Sequence, residues 1–388
     1  MRLGVYADLV YRVEDGEIST DRAFIRFVTS LPPRVDEVVV LGRRQPGSGR
    51  SPYRLPSEGV RFVPLPYYPS VFDVPDVVRS LRGSCAVFAA ELERLDAVLL
   101  FGPHPLALLF ALIARRRRKP LALGIRQDYP QYIRRRLPGR GWSWAVPVAR
   151  GLDRSFRTLG RRVPVIAVGD ELAARYGVSG PGVLATGLSL IRDSELVSLE
   201  DAQAKAWDGE LRLLAVGRLD PEKNPLLLVD VLAALRARAP RWRLTAIGEG
   251  DLRPVLARRA QELGVADALE LTGYVPNGPA LWERYRASHA FLHVSFTEGL
   301  PQVLFEAQAA GLPIVATDVG GVAAALGHGA SALLIPPGDR DAAVAALQRL
   351  AEDAQLRSRL IAAGLENASR ETMDAQLDRL AAFLEARL

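Results

Sequence analysis

The chain alternates short, nearly continuous apolar runs with longer segments of helical period. In the first half the runs are RLGVYA (2–7), EVVVL (37–41), VRFVPL (60–65), DAVLLF (96–101), PLALGI (120–125) and VPVIAV (163–168). In the second half they are LRLLAVG (211–217), WRLTAIG (242–248), ALELTGY (268–274), HAFLHVS (289–295), LPIVATD (312–318) and ALLIPP (332–337). A run without polar alternation marks a strand buried on both faces, as in a parallel sheet. Residues 224–238 carry apolar side chains at 227, 228, 231, 232 and 235, one face of an amphipathic helix. Strands alternating with helices predict an α/β protein of two doubly wound domains. The polar stretch 194–210 reads as the linker, giving domains over 1–190 and 191–370. A last helix within 371–388 carries Leu377, Leu380, Phe383 and Leu384 on one face, placed to pack back on the first domain. Ligands of such sheets bind beyond the carboxyl ends of the strands, so the site is expected in a cleft that the two domains face.

Composition narrows the setting. The chain has 388 residues, 49% of them hydrophobic, enough for two large cores. Cys85 is the single cysteine, so no intramolecular disulfide forms, which suits a reducing compartment. The start, MRLGVYADLVYR, enters a strand pattern and lacks the apolar core of a signal peptide. The longest apolar run, 97–113, is broken by Gly-Pro-His-Pro and reads as strand, turn and helix rather than a membrane span. A cytoplasmic protein is expected, soluble or peripheral at the inner face of the membrane. The net charge of +6 is unevenly spread: residues 1–190 hold 29 Lys and Arg against 17 Asp and Glu, and residues 191–388 hold 21 against 27. A basic first half beside an acidic second half points to different partners for the two.

Candidate chemistry lies in the second half. VGRLDPEKN (216–224) joins a strand to a helix. Gly217 permits a sharp turn, and Arg218 and Lys223 bracket a loop at a helix N-terminus, a suitable clamp for a diphosphate. The alternative is a surface loop in which they pair with Asp220 and Glu222. In TEGLPQVLFEAQAAG (297–311), Glu298 falls at a strand's carboxyl end, Gly299 allows a turn, and Pro301 fits a first helical turn. Glu306 follows one to two turns into the helix, near the same mouth. Paired carboxylates do not attract a diphosphate, but they accept hydrogen bonds from sugar and ribose hydroxyls. With phosphates on Arg218, Lys223 and backbone N–H groups near Leu300, the ligand this describes is a nucleotide-sugar. The alternative is a helix-capping Glu298 and a solvated Glu306.

VGRLDPEKN, IGEG (247–250), LTGYV (271–275), SFTEGLPQVLFEAQAAGLPIVATDVGG (295–321) and LLIPPGD (333–339) together resemble the retaining GT-B glycosyltransferases of the large family four, the glycosyl transferases group 1. The resemblance implies two Rossmann-like domains facing a cleft, with the nucleotide-sugar held mainly by the second. It implies that Gly217, Gly248 and Pro301 border the donor and that Arg218 and Lys223 bind its diphosphate. Glu298 would bind the donor sugar and Glu306 the ribose. Gly299 and Leu300 would offer backbone groups, and Tyr274 and Val275 would lie near the base. It further implies retention of configuration, with no cofactor beyond the donor and no metal. GDELAARYG (169–177) and TGLSL (186–190) also look like the family's patterns. Two departures stand out. The glycine pair usual after the first strand is replaced by ADLVYRVEDGEISTDRAF (7–24), and the acidic residue often found after ATDVGG is replaced by VAAAL.

Two first-half residues follow strands closely enough to face the cleft, His104 in FGPHP and Asp128 in GIRQDYPQY. Each is a candidate catalytic group. The plainer readings are a turn histidine between prolines, and an aspartate paired with Arg126 or with one of Arg134 to Arg136. Past Pro147, one helical stripe carries Val148, Leu152, Phe156 and Leu159, and another carries Arg150, Arg154, Arg157 and Arg161, with Trp142 and Trp144 before them. Two readings stay open: a helix lying on an anionic membrane surface, and an ordinary surface helix. The basic half also admits an anionic or lipid-linked acceptor. No nucleic-acid motif accompanies the charge. The competing activities on this fold are a sugar-nucleotide epimerase, a glycosyl phosphorylase and a non-catalytic nucleotide-sugar-binding protein. A glycoside hydrolase would leave Arg218 and Lys223 without a purpose.

Overall fold

All twelve apolar runs form strands, and the strands sort into two sheets. The structure is a computed structural model that describes residues 1–32, 34–70, 73–136, 144–177 and 182–388, so Trp142 lies outside the described residues. The chain divides into two units, residues 1–190 with 376–388, and residues 191–375.

The first unit contains β1 (Arg2–Glu14), β2 (Glu17–Thr20), β3 (Glu37–Arg44), β4 (Tyr53–Arg54), β5 (Val60–Leu65), β6 (Ala97–Gly102), β7 (Leu121–Ile125), β8 (Val165–Val168) and β9 (Val183–Thr186). Seven run parallel in the order β5-β3-β1-β6-β7-β8-β9. The order reverses direction between β1 and β6, the switch point of a doubly wound sheet. β1 continues past the apolar run 2–7, through Glu14. Asp15 and Gly16, both at positive φ, turn it into a hairpin with the antiparallel β2.

The second unit contains β10 (Leu211–Val216), β11 (Trp242–Ile247), β12 (Leu269–Gly273), β13 (Ala290–His293), β14 (Ile314–Thr317) and β15 (Ala332–Ile335). All are parallel, in the order β12-β11-β10-β13-β14-β15, so the switch point falls between β10 and β13. Leu211, Leu213 and Ala215 pack on one face with Leu228, Val231, Leu232 and Leu235 of the helix Leu226–Arg238. Leu214 packs on the other face with Tyr285 of the helix Pro279–Ala287 and Leu304 of the helix Gln302–Ala309. Burial on both faces is why these runs lack polar alternation.

The helix Ala145–Gly160 departs from the expected stripe. Its buried residues are Ala145, Ala149, Asp153, Phe156, Leu159 and Gly160, while Val148 is exposed. Asp153, a charged residue, occupies the buried face because three side chains bond it, as described below. No helix among the described residues is long and apolar enough to cross a membrane.

Phe110, fully buried, stacks on Phe88 at 4.2 Å and meets Tyr6 edge-on at 5.0 Å. Phe110→Ala should therefore destabilise the first unit by about 3–5 kcal/mol, read as a lowered urea midpoint. Val148→Ala, at an exposed position, should change it by no more than about 0.5 kcal/mol.

Candidate functional site

The second unit's switch point holds a cavity of about 150 Å³. The ends of β10, β11 and β13 wall it, and Gly217, Arg218, Lys223, His293, Glu298 and Pro301 line it. Past β10 the chain makes one turn of 3₁₀ helix, Pro221–Lys223. Asn224 then takes a left-handed conformation (φ 48°) that redirects it into Leu226–Arg238. Lys223 thus stands beside the helix start. The Phe296 N–H donates to Glu222 O at 2.9 Å and ties this loop to the segment after β13.

Two close approaches shape the mouth. A Cβ on Gly248, at φ +145°, would lie 1.9 Å from Gly217 O. One on Gly320, at φ +53°, would lie 2.1 Å from Glu298 O. Only glycine lets these loops touch, so Gly320 presses the Glu298 backbone into place.

Glu298 is the centre of the cavity's charge. Lys223 Nζ donates to its Oε1 at 2.7 Å, and Ser295 Oγ donates to the same oxygen at 2.6 Å. His293 Nε2 lies 3.1 Å from that oxygen. Burial alone would raise the Glu298 carboxyl. The contacts with His293, Lys223 and Ser295 outweigh burial and hold it down to about 2. Arg218 is exposed and pairs with Asp220 and Glu222, the alternative that the sequence left open. Exposed pairs of this kind contribute roughly 0–1 kcal/mol, so a bound anion can displace them at small cost.

Glu306 does not share this cavity. It is buried in the helix Gln302–Ala309, where Tyr285 Oη donates to its Oε2 at 2.7 Å and Asn277 Nδ2 to its Oε1 at 3.3 Å. Asn277 belongs to the same loop as Tyr274, which is exposed, and Val275, which is half-buried. Gly299 and Leu300 lie between Glu298 and that helix. Sequence reading passed over His293 and Ser295. Two polar residues closing an otherwise apolar strand were the available signal.

The first unit's switch point is also polar. His104 precedes the helix Pro105–Arg116 and is buried. Its Nδ1 accepts from the Leu106 N–H at 3.2 Å, which assigns the neutral ring's proton to Nε2, 3.5 Å from Asp8 Oδ2. Tyr68 Oη donates to Asp8 Oδ1 at 2.6 Å, and Arg43 Nη2 donates to Oδ2 at 3.1 Å. Burial lowers the His104 pKa against the opposing pull of Asp8. Burial would raise the Asp8 carboxyl, but the His104, Arg43 and Tyr68 contacts hold it below its ordinary value. Asp8, which sequence reading missed, is more exposed than His104, and His104 steadies it.

Asp128 stands elsewhere. It pairs with Arg175, 47 residues away and not one of the arginines expected, and its Oδ1 accepts from Gln131 N at 3.0 Å. With Arg134, Arg150, Arg154 and Arg157 it lines a second cavity of about 480 Å³. Among the described residues no group of three or more His, Cys, Asp or Glu could hold a metal ion.

Over its full length the chain superposes on solved GT-B structures. Sucrose-phosphate synthase from Thermosynechococcus elongatus has a TM-score of 0.69 at 18% identity, covering 99% of this chain and 98% of that one. HepE of Anabaena, solved with UDP-glucose, has a TM-score of 0.69 at 17% identity, covering 100% of both. The fold is GT-B. Residues 198–367, within the second unit, match the family "Glycosyl transferases group 1". A D-inositol 3-phosphate glycosyltransferase of Stackebrandtia nassauensis is 39% identical over 183 residues, 45% of this chain and 41% of its own. One from Frankia alni is 34% identical over 242 residues, 60% of this chain and 58% of its own. The chain spans about half the length of the curated relatives it matches.

The Glu298 shift carries a stability consequence. A glutamate whose ordinary value is 4.5 is held at about 2 in the folded state, so the unfolded chain takes up the proton first as pH falls. The stabilisation, on the order of 3 kcal/mol, is complete above pH 4.5 and lost as pH falls through about 2. Glu298→Gln should flatten the acid limb of stability between these values in urea titrations. An unchanged limb would show that Glu298 does not carry this linkage.

Proposed function

We propose that the protein is a glycosyltransferase that moves a sugar from a nucleotide-diphosphate donor to an acceptor hydroxyl with retention of configuration. The observation that carries this reading is the meeting of Lys223 and Ser295 on the Glu298 carboxylate, in a cavity at the second unit's switch point. There a diphosphate draws Lys223 from Glu298 and Arg218 from its two carboxylates. Glu298, freed of its cation but still ionised, then accepts hydrogen bonds from hydroxyls of the donor sugar. Glu306, fixed by Tyr285 beside the Asn277 loop, takes the ribose, and Tyr274 and Val275 flank the base. Gly217, Gly248, Gly299, Leu300 and Pro301 let the backbone approach closely. The family match and the resemblance to HepE, solved with UDP-glucose, support a nucleotide-sugar donor.

In the step itself the bond from the anomeric carbon to the diphosphate oxygen breaks. A bond to the acceptor oxygen forms on the same face, and the acceptor's proton passes to the leaving diphosphate. Arg218 and Lys223 meet the charge that develops there, and no metal is assigned. The first unit is read as the acceptor's, with His104 positioning Asp8. The relatives named for D-inositol 3-phosphate favour an acceptor that carries a phosphate. A protein acting from the cytoplasmic face of a membrane also fits the basic first half.

A panel of nucleotide-sugars tests the reading. One should be hydrolysed slowly, releasing nucleoside diphosphate, and Glu298→Gln should cut that turnover by about 100-fold or more while leaving nucleotide affinity nearly intact. Binding without turnover across a broad acceptor panel would favour the non-catalytic reading. Loss of nucleotide binding in Glu298→Gln would overturn the division of labour between Glu298 and the two cations.

A further inference from the structure

The arginine cavity of the first unit has a charge pattern that its fold does not need. Asp153 is buried, and its carboxylate takes Arg157 Nε at 3.0 Å, Arg175 Nη2 at 2.9 Å and Tyr176 Oη at 2.8 Å. Asp128 holds the other arm of Arg175. Both acids of the cavity wall are thereby used. The guanidinium groups of Arg134, on the helix Tyr129–Arg136, and of Arg150 and Arg154, on the helix Ala145–Gly160, have no hydrogen bond or ion pair among the described residues, yet all three line the same cavity. Five arginines face two aspartates, a surplus of three positive charges. Arg150 and Arg154 stand four residues apart on one helix, where like charges repel and weaken the helix. All three are exposed, so water alone meets their charges unless an anion fills the cavity.

We infer that this cavity is a binding site for a phosphate group, with Arg134, Arg150 and Arg154 as its ligands and Asp153 as the post that orients Arg157 and Arg175 behind them. A phosphate monoester brings nearly two charges and three strong acceptor oxygens, a lipid phosphodiester one charge and two free oxygens, and both suit planar guanidinium forks approaching from two helices. The group belongs either to a small soluble phosphate ester or to the headgroup of an anionic lipid. Neither source depends on the donor reading of the second unit, since the readout is binding and not turnover.

Two arms separate the sources. Full-length protein is titrated calorimetrically with glycerol phosphate, and separately sedimented with vesicles of phosphatidylglycerol or of phosphatidylcholine. Binding is expected in the calorimeter for a soluble ester, or to phosphatidylglycerol vesicles alone for a headgroup. In either arm Arg150→Ala/Arg154→Ala, and Arg134→Ala by itself, should lose about tenfold or more in affinity. Arg115→Ala/Arg116→Ala removes the same charge from an exposed helix end outside the cavity and should leave binding unchanged. Absence of binding in both arms would overturn the inference, as would an equal loss in Arg115→Ala/Arg116→Ala. Arg134→Ala decides the matter if the double variant fails to fold.

Discussion

Lys223 and Glu298 meet at 2.7 Å across 75 residues of chain, and the second unit's site depends on that contact. Each belongs to a loop leaving one of the two strands that flank the switch point. The pair is largely shielded from water, with side-chain exposures of 22% and 8%. Breaking such a pair by removing one partner strands a charge, which costs about 3–5 kcal/mol. A diphosphate does something different: it offers Lys223 a new anion while donor hydroxyls offer Glu298 new donors. The exchange conserves charge pairing, so the site can open to its ligand without stranding either group. Ser295 stays on Glu298 throughout and keeps the carboxylate aimed.

Buried and half-buried carboxylates recur as organisers of cations in both units. Asp8 gathers Arg43, Tyr68 and His104 at the first switch point. Asp153 gathers Arg157, Arg175 and Tyr176 beneath the arginine cavity. Glu298 gathers Lys223 and Ser295. In each case a fixed acid sets the direction of a flexible cation before a ligand arrives, which reduces the ordering that binding requires. The first unit then adds arginines beyond what its acids can pair, and this is the structural form of the basic excess in residues 1–190.

The strands were legible because burial on both faces leaves an unbroken apolar run, and twelve such runs became twelve strands. The far half of β1 was not. LVYRVE alternates because one side of that extension is more exposed, so it adds no unbroken apolar run, and Asp15 and Gly16 are the hairpin signal that follows it. Arg218, Lys223 and Glu298 were legible as a set because each follows a strand end. For Glu306, helical spacing gave its depth along the helix but not the Tyr285 hydroxyl that bonds it. Asp8 and the Asp128–Arg175 pair were not legible because their partners are 96 and 47 positions away, and only sheet order and helix packing bring them together, whereas His293 reaches Glu298, five positions on, through the turn that follows β13.

The central claim is that Lys223 trades Glu298 for the donor's diphosphate. A crystal structure of the protein with bound nucleoside diphosphate tests it most directly. The account predicts phosphate oxygens within hydrogen-bond distance of Lys223 Nζ and the Arg218 guanidinium, with the 2.7 Å contact to Glu298 lengthened or lost. A diphosphate bound elsewhere, with Lys223 still on Glu298 and Arg218 still on Asp220 and Glu222, would contradict it.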